Sequence, residues 1–151
     1  MALDRLQDLS LAFAANSVDI AEDIVSAPDF DPNCPDRRGL PPLFLACAYG
    51  RYAMVKLLVD RRADIHFKLR GTGVTPLHVA ASNGFPDIVE LLIGLGVDFV
   101  TRDSAGSTAL DYAEISPQLL ESSNIPQDLI DRGDEKLIQL RHQCVRVLGQ
   151  T

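Results

Sequence analysis

Apolar residues return along this chain in two interleaved rhythms. Over short distances, Ile88, Val89, Leu91 and Leu92 gather on one face of a helix, and Val55, Leu57 and Leu58 do the same. Over longer distances the whole pattern comes back. Gly39-Leu40-Pro41-Pro42-Leu43-Phe44-Leu45-Ala46 aligns with Gly73-Val74-Thr75-Pro76-Leu77-His78-Val79-Ala80 at an offset of 34 residues, and Gly50 then falls on Gly84. A third copy opens 33 residues further on, from Asp103 to Ala113. Self-similarity at such a period marks a stack of repeats, in which no unit buries its apolar face alone.

The segments on either side are less regular. Ala12 to Val25 predicts a helix pair, a degenerate opening unit. After Ala113 the pattern stops, and Ser116-Pro117 and Asn124-Ile125-Pro126 punctuate a linker, because proline and its predecessor resist helix. A last helix is predicted from about Asp134 to Leu148. Leu137, Leu140 or Arg141, Cys144 and Leu148 share one face, with Ile138 and Val145 beside them. Two readings of it stay open: it seals the apolar end of the stack, or it docks on a partner.

Thr75-Pro76-Leu77-His78-Val79-Ala80 matches the core motif of the ankyrin repeat in full. Gly84, Ile88-Val89, Leu91-Leu92, Gly96 and Asp98 continue the match, and Asp31-Pro32-Asn33 stands where a repeat closes. The chain therefore resembles the ankyrin-repeat family over residues 1–115. The resemblance implies an all-α solenoid of helix-turn-helix repeats joined by β-hairpin loops, with a C-terminal capping helix. It divides the chain into a degenerate opening repeat at 1–35, repeats at 36–69 and 70–102, a partial repeat at 103–115, and a C-terminal linker and helix at 116–151.

Each matched residue has a mechanical reason. Thr75 caps a helix start and Pro76 sits where a missing N–H is harmless. Leu77 and Ala80 pack against the neighbouring repeat. Gly50 and Gly84 suit a left-handed residue at a helix end. The departures carry information too. Arg62 stands where Gly96 stands one repeat later, so a left-handed conformation there costs roughly 1 kcal/mol. Leu69-Arg70-Gly71-Thr72-Gly73 is one residue longer than the family spacing, which predicts a longer and more mobile hairpin. Phe44 replaces the motif histidine, exchanging a hydrogen bond for apolar contact.

Composition adds limits. A length of 151 residues allows one compact domain, and 46% hydrophobic with 23% charged residues is ordinary for a globular chain. A net charge of −7 argues against a nucleic-acid partner. No stretch is apolar for about 20 residues, so no membrane span is expected, and Asp4, Arg5 and Asp8 leave no signal-peptide core. Cys34, Cys47 and Cys144 form no framework, which predicts reduced thiols in the cytoplasm or nucleus.

No motif for phosphate, dinucleotide or metal binding is present, so no enzyme activity, cofactor or metal site is expected. His142 and Cys144 fall on different faces of a helix and are poor joint ligands. His78 braces adjacent turns in this family, and Asp111 takes its place one repeat later. Cys47 fills the small slot of Ala81 and is read as inert core. Asn33 occupies a hairpin asparagine that, in this family, is sometimes hydroxylated.

The family resemblance implies non-catalytic protein binding on a concave face built from hairpins and first helices. Carried over by position, the binding residues are Arg37, Arg38, Leu40, Ala48, Tyr49 and Lys68 in the second repeat. The third supplies Gly71, Thr72, Val74, Ser82, Asn83 and Arg102, and the fourth supplies Ser104, Ala105 and Ser107; Ala15 and Asn16 add to them. Residues 36–70 carry eight Lys or Arg and three Asp, a net +5 within a chain of −7. That band either orients a protein partner with an acidic element or is ordinary solvated surface. The expected role is adaptor, inhibitor or assembly factor, monomeric when free. The alternatives are a targeting piece of a larger enzyme, such as a kinase or ubiquitin ligase, and a microbial effector secreted into a host.

Overall fold

The computed structural model describes residues 2–114 and 135–149, with side chains for 4–114 and 142–149. The proposed linker, and the side chains of Leu137, Ile138, Leu140 and Arg141, lie outside the described residues.

Eight helices are described: α1 (Ala2–Ala15), α2 (Val18–Ser26), α3 (Pro42–Tyr49), α4 (Tyr52–Asp60), α5 (Pro76–Ser82), α6 (Pro86–Gly94), α7 (Ala109–Glu114) and α8 (Glu135–Gly149). They stack in two layers. α1, α3, α5 and α7 touch in series, α2, α4 and α6 run behind them, and α8 covers α7, α6 and α5. Among the described residues there is no strand; the repeats are joined by hairpin turns. This is an all-α solenoid closed at its C-terminal end by a helix.

The opening unit is larger than its sequence suggests. α1 begins at Ala2 rather than Ala12, and Leu6, Leu9, Ala12 and Phe13 form its buried stripe. Those residues follow helical spacing, so the signal was present but lay upstream of any recognisable motif. The middle helices are buried all round because they are sandwiched. Every residue of α3 from Pro42 to Ala48 is buried, as is every residue of α5. On the outer layer only one stripe is buried: Met54, Val55 and Leu58 in α4, and Ile88, Val89 and Leu92 in α6.

Local chemistry sets the helix ends. Thr75 Oγ1 accepts from the His78 N–H at 3.4 Å, and Thr75 N–H donates back to His78 Nδ1 at 3.2 Å, a reciprocal cap. α3 has Pro41 and Phe44 at these positions and no side-chain cap; Phe44 instead meets the Phe67 ring edge-on at 6.0 Å. α3 ends at Gly50 with φ +71, and the Phe85 ring lies so close that any Cβ there would collide with it. Arg62 does take the left-handed form, at φ +66.

Candidate partner-binding surface

Three hairpins project from the bases of the inner helices. The first is closed by Asp36 N–H to Leu40 C=O at 2.9 Å, the second by Leu69 N–H to Val74 C=O at 2.7 Å, and the third by Asp103 N–H to Ser107 C=O at 3.0 Å. In the first and third, an aspartate stiffens the turn. Asp36 Oδ1 accepts from the Arg38 and Leu40 amides, and Asp103 Oδ1 accepts from those of Ala105 and Ser107. The second has Leu69 at this position, so the longer loop closes on backbone alone: Thr72 and Gly73 N–H both reach the Leu69 carbonyl. It is also stitched to its neighbour, because Ser104 N–H donates to Thr72 C=O at 2.7 Å.

The sequence-derived residues divide at this point. Arg37, Arg38, Lys68, Gly71, Arg102, Ser104 and Ala105 are exposed on or beside the hairpins, and Ala15 and Asn16 are exposed at the end of α1. Thr72 and Tyr49 are half-buried, with Tyr49 packed against the core at the end of α3. Leu40, Ala48, Val74, Ser82, Asn83 and Ser107 are buried and leave the surface. The reason is positional. Leu40, Val74 and Ser107 are the inward-facing closing residues of the three hairpins. Ala48 and Ser82 belong to the buried stretches of α3 and α5. Asn83 donates from Nδ2 to the Ala48 carbonyl at 2.9 Å, completing the C-terminus of α3.

The basic band is likewise partly structural. Arg51 donates to the Phe13 carbonyl at 2.6 Å, at the end of α1. Arg61 donates to the Ala27 carbonyl at 2.9 Å, just past α2. Both cations sit where a helix dipole favours positive charge. Arg38 pairs with Asp36 at 3.2 Å, and the Lys56 ammonium lies 5.9 Å from the centre of the Tyr52 ring. Arg37, Lys68 and Arg70 are exposed and make no hydrogen bond or ion pair among the described residues. The Arg62 side chain is exposed at the end of α4 and likewise makes no bond among the described residues, so four of the eight cations in the band are uncommitted.

Residues with tempting chemistry are absorbed by the fold. His78 Nε2–H donates to the Ser107 carbonyl at 2.9 Å, and Nδ1 accepts from the Thr75 hydroxyl at 2.7 Å, so both ring nitrogens are engaged. Burial holds its pKa below the ordinary 6.5. Asp111 Oδ2 accepts from the Thr108 N–H and hydroxyl, bracing the last turn. Burial pushes the Cys47 thiol far up, out of reach of the reactive thiolate. Asn33 bridges two repeats, accepting from Asp64 N–H at 2.7 Å and donating to the Arg62 carbonyl.

Sequence comparison places this architecture among known proteins. The family model described as ankyrin repeats (3 copies) matches residues 9–103 and 43–135. Protein phosphatase 1 regulatory subunit 27 of Mus musculus is 40% identical over 102 residues, 68% of this chain and 54% of that protein. NF-kappa-B inhibitor alpha of Sus scrofa is 42% identical over 95 residues, 60% of this chain and 30% of that protein. SMC5-SMC6 complex localization factor protein 1 of Homo sapiens is 38% identical over 100 residues, 65% of this chain but 9% of that protein. The chain thus spans about half the length of the first of these relatives and far less of the others. Motif, stacking and profile agree: the chain belongs to the ankyrin-repeat family.

Proposed function

We propose that the chain is a non-catalytic binding module which holds a partner protein on its concave face, as an adaptor, inhibitor or assembly factor. One observation carries this reading. The hairpin tips present exposed side chains that the fold does not use, on a base whose polar groups are bonded to one another. Such a surface is preorganised, so little ordering entropy opposes binding. The names of the relatives, a regulatory subunit, an inhibitor and a localization factor, agree with this class of role.

The partner carries an acidic element that meets Arg37 and Lys68, and Tyr49 serves as the aromatic anchor. Tyrosine and arginine dominate binding hot spots because they combine area with directional polar contacts. A second reading is a recruiting module within a larger protein, since the stretch that matches this chain is 9% of one relative.

The test is affinity capture from the native source, followed by surface plasmon resonance with the captured partner. Tyr49→Ala should raise the dissociation rate by a factor equivalent to about 2 kcal/mol. Arg37→Glu with Arg38→Glu should lower the association rate, and less so at high salt. Unchanged kinetics in both variants would remove the concave face of the second repeat from the interface.

A further inference from the structure

Between α1 and the first hairpin runs a groove with a cavity of about 300 Å³, at the small end of ligand-sized clefts. Leu6, Gln7, Ser10 and Leu11 form one wall, and Arg37 and Arg38 the other. Leu11 is 62% exposed, more than any other large apolar side chain among the described residues. Beside it lies the Arg37 guanidinium, which has no partner among the described residues, and neither exposed group is used by the repeat stack.

The charge of the groove is positive although the chain as a whole is negative. Among the described residues Asp36 is the one carboxylate that lines it, and its oxygens are already taken: Oδ1 by two backbone amides and Oδ2 by Arg38 Nε. Asp4 and Asp8 do not line it. At 100° per residue they lie on the flank of α1 that runs from Leu11 toward Arg5, and Arg5 is turned to Asp29 beyond α2. The groove flank carries Gln7 and Ser10 instead, neutral groups able to bond a peptide backbone.

We infer that this groove receives an extended segment of the partner protein in which an aliphatic side chain lies next to a carboxylate. The aliphatic group covers Leu11 and Leu6, the carboxylate meets Arg37, and Gln7 and Ser10 bond the segment's main chain. A carboxylate fits better than a phosphate, because a phosphate gathers several donors and Arg38 Nε is already bonded to Asp36. The inference rests on the concave-face reading above and narrows it to one end of that face.

The test pans a phage-displayed random peptide library on the immobilised full chain, then titrates the fluorescein-labelled consensus peptide by anisotropy. The expected consensus sets Asp or Glu beside Leu, Ile, Val or Met. Affinity should fall about tenfold in Leu11→Asp and, separately, in Arg37→Glu, with circular dichroism unchanged in both. The exposure of both side chains makes loss of folding an unfavoured outcome. A consensus without a carboxylate, no enriched consensus, or binding indifferent to both variants overturns the groove. If binding then responds to Lys68→Glu and Tyr49→Ala, the groove alone falls and the concave face stands. Indifference to all four removes both readings.

Discussion

His78 and Ser107 are joined across the boundary between the third and fourth repeats by a single buried hydrogen bond of 2.9 Å. A carbonyl only accepts, so the proton sits on Nε2, and Nδ1 is left to accept from Thr75. The neutral tautomer is therefore the one the fold is built around. A second proton on Nδ1 would face the Thr75 N–H, donor against donor.

That arrangement predicts how stability depends on pH. Burial lowers the pKa of His78 more than the Ser107 carbonyl, Asp103 and Asp111 raise it. The unfolded chain takes up a proton near 6.5, and the folded chain only below that. The stability contributed by neutral His78 is thus complete above 6.5 and is lost as pH falls through the folded value. The slope in that window is at most about 1.4 kcal/mol per pH unit. Urea titrations of the wild type and His78→Gln should show a gap that narrows on acidification. A gap that is constant or widens would contradict the assigned tautomer.

Arg51 gives a second prediction. It occupies the position that Phe85 holds one repeat later, yet it is bonded to the carbonyls of Phe13 and Ala14 rather than packed as a ring. Arg51→Ala removes two charged hydrogen bonds, leaving the Phe13 carbonyl with the Asn16 N–H and the Ala14 carbonyl with no partner among the described residues, and should cost about 1–3 kcal/mol. Hydrogen exchange should quicken in α1 and α2 while α6 keeps its protection, since a solenoid couples nearest neighbours. Uniform acceleration along the chain would show that the opening repeat has no separate stability.

The sequence was a good guide wherever repeats could be aligned and a poor one wherever a residue acts across a boundary between them. Thr75, His78, Gly50, Gly84 and Arg62 take the conformations and caps that their alignment predicts. Asn83 did not follow. Alignment marks its position as variable surface, but its amide turns inward to the Ala48 carbonyl 35 residues earlier, a contact that neither segment announces. Leu40, Val74 and Ser107 failed in the same way, because a hairpin's two faces depend on its twist and not on its composition. α1 began ten residues earlier than predicted because only its last residues align with later repeats.

α8 gives the third prediction. Cys144 and Leu148 are buried, Val145 is half-buried, and the helix covers α7 and α6. Leu148→Asp places a carboxylate in that contact, where an unpaired charge is costly, and should detach the last turns of α8. The expected result is a lower melting temperature with soluble aggregates in light scattering, from apolar surface uncovered on the last repeat. A monomer with unchanged melting would mean that the contact contributes little to the fold.

The last prediction isolates a backbone effect by paired substitution. Gly96 and Arg62 close equivalent outer helices, and both are left-handed, at φ +90 and +66. A Cβ built on Gly96 meets nothing within 4 Å. Gly96→Ala therefore adds no clash, and its cost is the conformational penalty of an L-residue there, about 1–2 kcal/mol, less the freedom that the unfolded chain loses with its glycine. Arg62 already bears that penalty, with its N–H bonded to Val59 and its carbonyl accepting from Asn33. Arg62→Gly keeps both backbone bonds and relieves the strain, offset by about 0.5–1 kcal/mol of extra freedom in the unfolded chain. The two variants should shift stability in opposite directions by similar amounts, because the same unfolded-chain entropy reduces both the loss at Gly96 and the gain at Arg62. Denaturant midpoints at constant m-value measure both. If Arg62→Gly were as destabilising as Gly96→Ala, the Arg62 side chain would have to make a contact of about 1 kcal/mol or more that outweighs the strain of its backbone.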